Sequence, residues 1–305
     1  MKRLLTLLTL GTLTLNACAN EEPEFFPELG NTVTAPIFEE SAWELEGNRH
    51  TRFITNPSSG AELFTYLDLP EGDGPFPMIM LIPGGANSGT SNFADDQKLL
   101  DSFLDEGIAV AYFDPDGRGK SSGEENLNGF AGQDGLYAVT QALIESGYID
   151  TEEMGLLSYS YGITLSTGML ARYAEAQPYE WYIDWEGPSA REYTTVGCEN
   201  SDKSTALKST PCDDNEYWAE REAVTFLADI LVPYWRIQGE QDHVQGNNEH
   251  AIAAINAAYN GSSPWTRINN EDPNQNFSME NEPEYLGKTS RIFALEAALE
   301  LFDSY

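Results

Sequence analysis

From about residue 41 onward, short apolar runs alternate with longer stretches in which apolar residues recur three or four positions apart. Continuous runs of four to eight apolar residues bounded by turn residues predict strands buried on both faces, and the wider spacing predicts the helices that cover them. Arg52–Thr55 and Leu63–Leu69 read as two early strands joined by the turn Asn56-Pro57-Ser58-Ser59-Gly60. Met78–Ile82 and Ile108–Phe113 are continuous apolar runs expected deep in a sheet, with a helix from Phe93 to Glu106 between them. A helix from Gln133 to Ser146 carries Leu136, Val139 and Leu143 on one face; Met154–Leu157 is the next strand and Ile163–Tyr173 the helix after it. Trp181–Trp185, Tyr234–Gln238 and Trp265–Ile268 complete the strands, and Arg291–Phe302 is the closing helix. The alternation predicts an α/β fold with a mostly parallel central sheet and helices on both faces. The span 188–227 is long for a crossover and is expected to form an inserted cap over the sheet's carboxyl edge.

The N-terminus breaks this pattern. Lys2 and Arg3 precede an apolar run from Leu4 to Leu15, and Leu15-Asn16-Ala17-Cys18 ends in a small residue and a cysteine. Residues 1–18 therefore read as a signal peptide with a lipobox-like end, lipidated at Cys18, the other reading being a plain secretory signal with an incidental cysteine. The run is too short for a permanent membrane span. Residues 19–40 form an acidic, proline-containing tether and 41–305 the folded domain. This implies an exported protein held to a membrane through Cys18, in the periplasm or at the cell surface. Cys198 and Cys212 remain as an even pair around a polar loop, and in an oxidising compartment a disulfide between them is expected.

Charge narrows the partners. Fifty acidic residues against 16 basic ones give a net charge of −34, which disfavours nucleic acid. A hydrophobic content of 41% excludes disorder as the cause of that acidity.

Three motifs carry candidate chemistry. Ser160 lies between an apolar strand and a helix, with small Ser158 and Gly162 two positions to either side, the spacing that a sharp nucleophile turn needs. Pro83-Gly84-Gly85-Ala86 ends the first central strand, where the Gly85 amide together with that of Tyr161 would form an oxyanion hole. Asp114-Pro115-Asp116-Gly117-Arg118-Gly119-Lys120-Ser121-Ser122-Gly123 reads as a tight, ion-paired structural loop, with glycine and lysine wrongly spaced for phosphate binding. In this order the motifs resemble the α/β-hydrolase superfamily, closest to its exported branch related to dienelactone hydrolases and acylaminoacyl-peptidase-like enzymes, over residues 41 to the C-terminus.

That resemblance implies the α/β-hydrolase fold, an acid at Asp242 after the strand that follows the cap, and a histidine after the last strand. The stretch Asn269–Phe277 holds no histidine; the chain has only His50, His243 and His250. His243 is the best placed to replace it. Since Asp242 is its immediate neighbour, and adjacent residues on a tight turn rarely face each other, Glu186 or Asp184 is the better orienting acid. The expected constellation is Ser160 as nucleophile, His243 as base and Glu186, Asp184 or Asp242 as acid, with any of the three acids alternatively holding Arg236 or loop amides. His50 and His250 read as surface residues. Tyr159, Tyr161, Trp181, Trp185, Tyr217 and Trp218 crowd the expected mouth, some as core and some as pocket. The function implied is hydrolysis of an ester or related acyl bond in a small molecule, with no cofactor and no metal. Two rivals stand beside it: a binding protein that kept the scaffold and lost its base, with Gln275 in the base position, and an acylaminoacyl-type peptidase.

Overall fold

The central strands of this chain are apolar on both sides, so the sheet they form has two faces to bury. The computed structural model describes residues 42–193, 198 and 210–304; the expected leader, Cys18, the tether and most of the middle of the 188–227 span lie outside the described residues. Within them run β1 (Glu44–Glu46), β2 (Arg49–Thr55), β3 (Glu62–Asp68), β4 (Phe76–Ile82), α1 (Gly89–Phe93), α2 (Gln97–Leu104), β5 (Ala109–Phe113), α3 (Phe130–Glu145), β6 (Ile149–Tyr159), α4 (Gly162–Arg172), β7 (Trp181–Trp185), α5 (Asn215–Ala219), α6 (Ala223–Leu227), β8 (Tyr234–Ile237), α7 (Glu249–Asn260), β9 (Thr266–Ile268) and α8 (Ser290–Phe302).

The strands form one sheet in the order β1-β2-β3-β5-β4-β6-β7-β8-β9. β1, β2, β3 and β5 pair antiparallel in turn, and every pair from β5 through β4 to β9 is parallel. Side chains alternate between the faces. Met78, Met80 and Ile82 of β4 join a core with Leu136, Val139 and Leu143 of α3, Leu165 and Met169 of α4, Leu227 of α6 and Ile255 of α7. Ile79 and Leu81, one position out of phase, join a second core with Phe93 of α1, Phe103 of α2 and Ala294, Ala298 and Leu301 of α8. Helices thus cover both faces, as the apolar runs predict.

The order also locates a crevice. After β4 the chain turns one way, to β5, and after β6 the other way, to β7, so the loops leaving β4 and β6 part at their carboxyl ends. Such a switch point is where open α/β sheets bind ligands.

Several elements differ from their sequence expectation. The expected helix Phe93–Glu106 is two helices, because Ser88 and Ser91 build a capping box for α1 and Asp96 then caps α2 by accepting from the Leu99 amide. β6 begins at Ile149, five residues early, because Ile149 pairs with Phe76 and the ladder resumes past an irregularity at Met154 opposite Met78. Of the 188–227 span, α6 packs beside α4 and α7 as a crossover helix, and Trp218 of α5 is buried with Tyr161, Leu127 and Cys198. Cys198 and Cys212 form the expected disulfide.

Candidate active site

The turn from β6 into α4 brings Ser160 to the crevice in the left-handed backbone region, at φ 51°. A non-glycine residue there costs about 1–3 kcal/mol, which the flanking strand and helix must offset. Close packing explains the small neighbours. A Cβ on Gly162 would meet the Pro83 carbonyl oxygen at 2.8 Å, and Ser158 is fully buried with its hydroxyl 2.6 Å from that of Tyr182. The β4–α1 turn presses on the same point: a Cβ on Gly84 would lie 2.8 Å from Ser160 Cβ. Gly85 follows with φ 57°, a conformation open to glycine. Tyr161 caps α4, and its carbonyl and hydroxyl are held by Asn128 Nδ2 and the Leu127 carbonyl, both at 2.9 Å. Arg118 of the ion-paired loop pairs with Glu125 and donates to Asn128 Oδ1 and the Asn87 carbonyl, tying that loop to both turns.

His243 reaches Ser160 from the loop after β8. Its Nε2 lies 2.9 Å from Ser160 Oγ and its Nδ1 2.8 Å from Glu186 Oε2. Glu186 stands just past β7, also left-handed at φ 50°, and is buried. Four donors converge on its carboxylate: His243 Nδ1, the amides of His243 and Gly239 at 3.2 and 3.0 Å, and the Ser290 hydroxyl at 3.0 Å. A carboxylate on Nδ1 fixes the proton there and leaves the Nε2 lone pair to accept from the serine. The His243 ring stacks on Trp185, 4.7 Å between centroids, and Trp185 Nε1 donates to the Ser290 hydroxyl.

The other two candidate acids are engaged elsewhere. Asp184, expected as one alternative partner of His243, pairs instead with fully buried Arg236 and accepts from the Tyr234 hydroxyl, because its side chain alternates to the opposite face of β7 from the cavity. Asp242, at 3.5 Å from His243 Nδ1 against 2.8 Å for Glu186, holds its own turn by accepting from the amides of Val244 and Gln245, and its second oxygen lies 3.1 Å from His250 Nε2. Burial alone would raise the Asp242 carboxyl. His250 and the two amides outweigh it and hold the group well below the usual carboxylate range.

His250 and His50 correct the expectation of surface histidines: both are buried. His250 sits in the first turn of α7 against Asp242 and Arg236, and His50 lies beside the Tyr148 ring. Burial lowers the pKa of each. Gln275 donates to the Asp272 carbonyl and does not fill the base position. Ser290 and Trp185 as supports of Glu186 and His243, and Asn128 as the clamp on Tyr161, carry no motif in the sequence.

A cavity of about 470 Å³ opens over this site, lined by Gly84, Gly85, Asn87, Tyr159, Ser160, Trp185, His243 and Arg291 among others. No described residue of the 188–227 span lines it. Of the six aromatics expected at the mouth, Tyr159 and Trp185 line it, Tyr161, Trp181 and Trp218 are core, and Tyr217 packs on Trp218. Glu186, Asp242 and His243 offer the one cluster of three metal-ligating groups within 4.8 Å among the described residues. Their lone pairs already accept from amides, a hydroxyl and each other's N–H groups, so the donor set fits a proton relay better than a cation.

No protein-family model and no curated protein matches the chain. Solved structures do. It is similar to a 2,6-dihydroxy-pseudo-oxynicotine hydrolase (TM-score 0.58, 19% identity, 84% of this chain and 67% of that one). It is also similar to an esterase of Pyrococcus furiosus (0.58, 14%, 86% and 91%). A puromycin hydrolase matches at 0.63 and 19% over 84% of this chain, which spans only 39% of the length of that protein. Strand order, the helices on both faces and these likenesses agree: the chain has the α/β-hydrolase fold.

Proposed function

We propose that the protein is a serine hydrolase that cleaves an ester or related acyl bond through an acyl-enzyme on Ser160. The observation that carries this reading is the unbroken relay Ser160 Oγ, His243 Nε2, His243 Nδ1, Glu186, with both contacts under 3 Å. His243 takes the serine proton as Oγ attacks the carbonyl carbon, and returns it to the leaving group as the C–O bond breaks. Glu186 keeps the ring in the right tautomer and stabilises the imidazolium. The amides of Gly85 and Tyr161 receive the developing oxyanion at the N-terminus of α4. Water activated by the same histidine then frees the enzyme. The neighbours of the fold, named as hydrolases and an esterase, agree with this class. The relay counts against a scaffold that has lost its base.

We also propose that the protein is exported and anchored through a lipid on Cys18. The basic, apolar, small-residue order of residues 1–18 supports this, and the Cys198–Cys212 disulfide suits an oxidising compartment. Expression with a radiolabelled fatty acid tests the anchor: label is expected in the wild type and absent from Cys18→Ser.

A fluorophosphonate probe tests the chemistry. Rapid labelling of the folded protein that maps to Ser160 is expected; a folded protein that stays unlabelled would remove the hydrolase reading.

A further inference from the structure

Arg291 opens the last helix, exposed at the wall of the Ser160 cavity, with its guanidinium 4.9 Å from the centroid of the Tyr159 ring. Seven of the nine arginines among the described residues are ion-paired: Arg49, Arg118, Arg172, Arg191, Arg221, Arg236 and Arg267. The other two are Arg52, which lies over the Trp43 ring on β2, and Arg291. With 50 acidic residues in the chain, an arginine without an acidic partner is the exception, and this one faces the nucleophile's cavity. No aspartate or glutamate lines that cavity. The side-chain amides of Asn87 and Asn92, also in its lining, make no hydrogen bond to the described residues. One cation and two amide donors with spare capacity therefore surround the site.

We propose that this cavity selects esters that carry a carboxylate, with Arg291 as the residue that holds it and Asn87 and Asn92 as flanking donors. The proposal rests on the reading of Ser160 as nucleophile. A guanidinium presents parallel N–H donors that match a carboxylate, and a charge-assisted contact is about twice as strong as a neutral one. Repulsion from the acidic surface acts at longer range and is screened within about 8 Å at physiological salt, so the local cation decides binding at contact distance. The chemistry is unchanged: the Ser160 Oγ–carbonyl bond forms, the ester C–O bond breaks, and the proton passes through His243 to the leaving oxygen. The substrate carboxylate is bound and not consumed.

Two matched ester pairs test this and distinguish which half of the substrate bears the charge. Mono(4-nitrophenyl) glutarate against 4-nitrophenyl valerate places the carboxylate on the acyl side; 4-acetoxybenzoate against phenyl acetate places it on the leaving group. In one pair the ratio of kcat/KM, charged over neutral, is expected to fall about tenfold in Arg291→Gln, with part of the loss restored in Arg291→Lys. Comparing the variant's ratio with the wild type's cancels the intrinsic reactivity of the esters. Arg52→Gln, on β2 and three strands away from β4, is expected to leave both ratios where they are. Ratios that Arg291→Gln does not move in either pair overturn the proposal while the hydrolase reading stands. No turnover of any of the four esters, together with no fluorophosphonate labelling, overturns both.

Discussion

Two carboxylate–imidazole pairs lie side by side at the carboxyl ends of β7 and β8, and they differ in what surrounds them. Glu186 faces His243, whose side chain is 30% exposed and whose second nitrogen meets Ser160. Asp242 faces His250, whose side chain is fully buried and whose second nitrogen lies 3.3 Å from Arg236 Nη2. The pairing chemistry is the same in both. A relay needs a lone pair that is free, wet enough to exchange protons and aimed at a nucleophile, and only His243 meets those conditions. The buried pair serves the exposed one. By accepting from the Val244 and Gln245 amides, Asp242 folds the short turn that carries His243 to the serine.

The widest separation between the pairs is expected in rate. His243→Ala should cut kcat by on the order of 10⁶, since base and nucleophile act as a unit, and Glu186→Gln by about 10⁴ through the wrong tautomer. Ester hydrolysis and the rate of fluorophosphonate labelling measure both. A His243→Ala enzyme within tenfold of the wild type would mean that the base lies elsewhere. Ser290→Ala removes one of four donors to Glu186 and should cost only a few-fold, about 1 kcal/mol.

How far these pairs were legible in sequence depended on chain direction. The core strands were legible because runs such as Met78–Ile82 and Ile108–Phe113 are apolar at every position, as burial on both faces demands. Ser160 was legible because strand, small flanks and helix are adjacent in the chain. His243 emerged from scarcity, with so few histidines to choose among. The sequence narrows the acid only to Glu186, Asp184 or Asp242, and the end of β7 decides it: Asp184, within the strand, points to Arg236, and Glu186, past the strand end in the left-handed region, turns to His243. The burial of His250 against Asp242 and Arg236 leaves no mark in the pattern of α7, because neither partner belongs to that helix. Ser290, Trp185 and Asn128 act across 33 to 105 residues of sequence, a separation over which local pattern carries no signal.

The buried pair should reveal itself in stability. His250→Ala leaves Asp242 buried beside a void, and breaking a buried pair from one side costs about 3–5 kcal/mol. His243→Ala removes a partly exposed ring and one of the four donors to Glu186, the other three staying in place, and should cost less, about 1–2 kcal/mol. Urea denaturation of the two variants is expected to rank them in that order, the reverse of their rank in activity. If His250→Ala proved as stable as the wild type, the Asp242 turn would be held by its backbone amides alone.

The smallest effect lies in the pH dependence of stability. His50 and His250 have folded pKa values lowered by burial from the usual 6.5, so the unfolded chain binds more protons than the folded one as pH falls through that value. Their contribution is full above about pH 6.5 and is lost progressively as pH drops towards the folded values. Asp242 has the opposite chemistry and a different window: its depressed pKa adds stability that persists until pH falls below the usual carboxylate value near 4. The interval from pH 7 to 5 runs down through the usual histidine value and stays above the Asp242 window, so of these three groups it reports the two histidines. The thermal midpoint should therefore decline from pH 7 to 5, and less steeply in His50→Gln, which removes one of the two titrating groups without touching the site. A midpoint that rises across this interval would mean that relief of repulsion among the acidic residues outweighs both histidines.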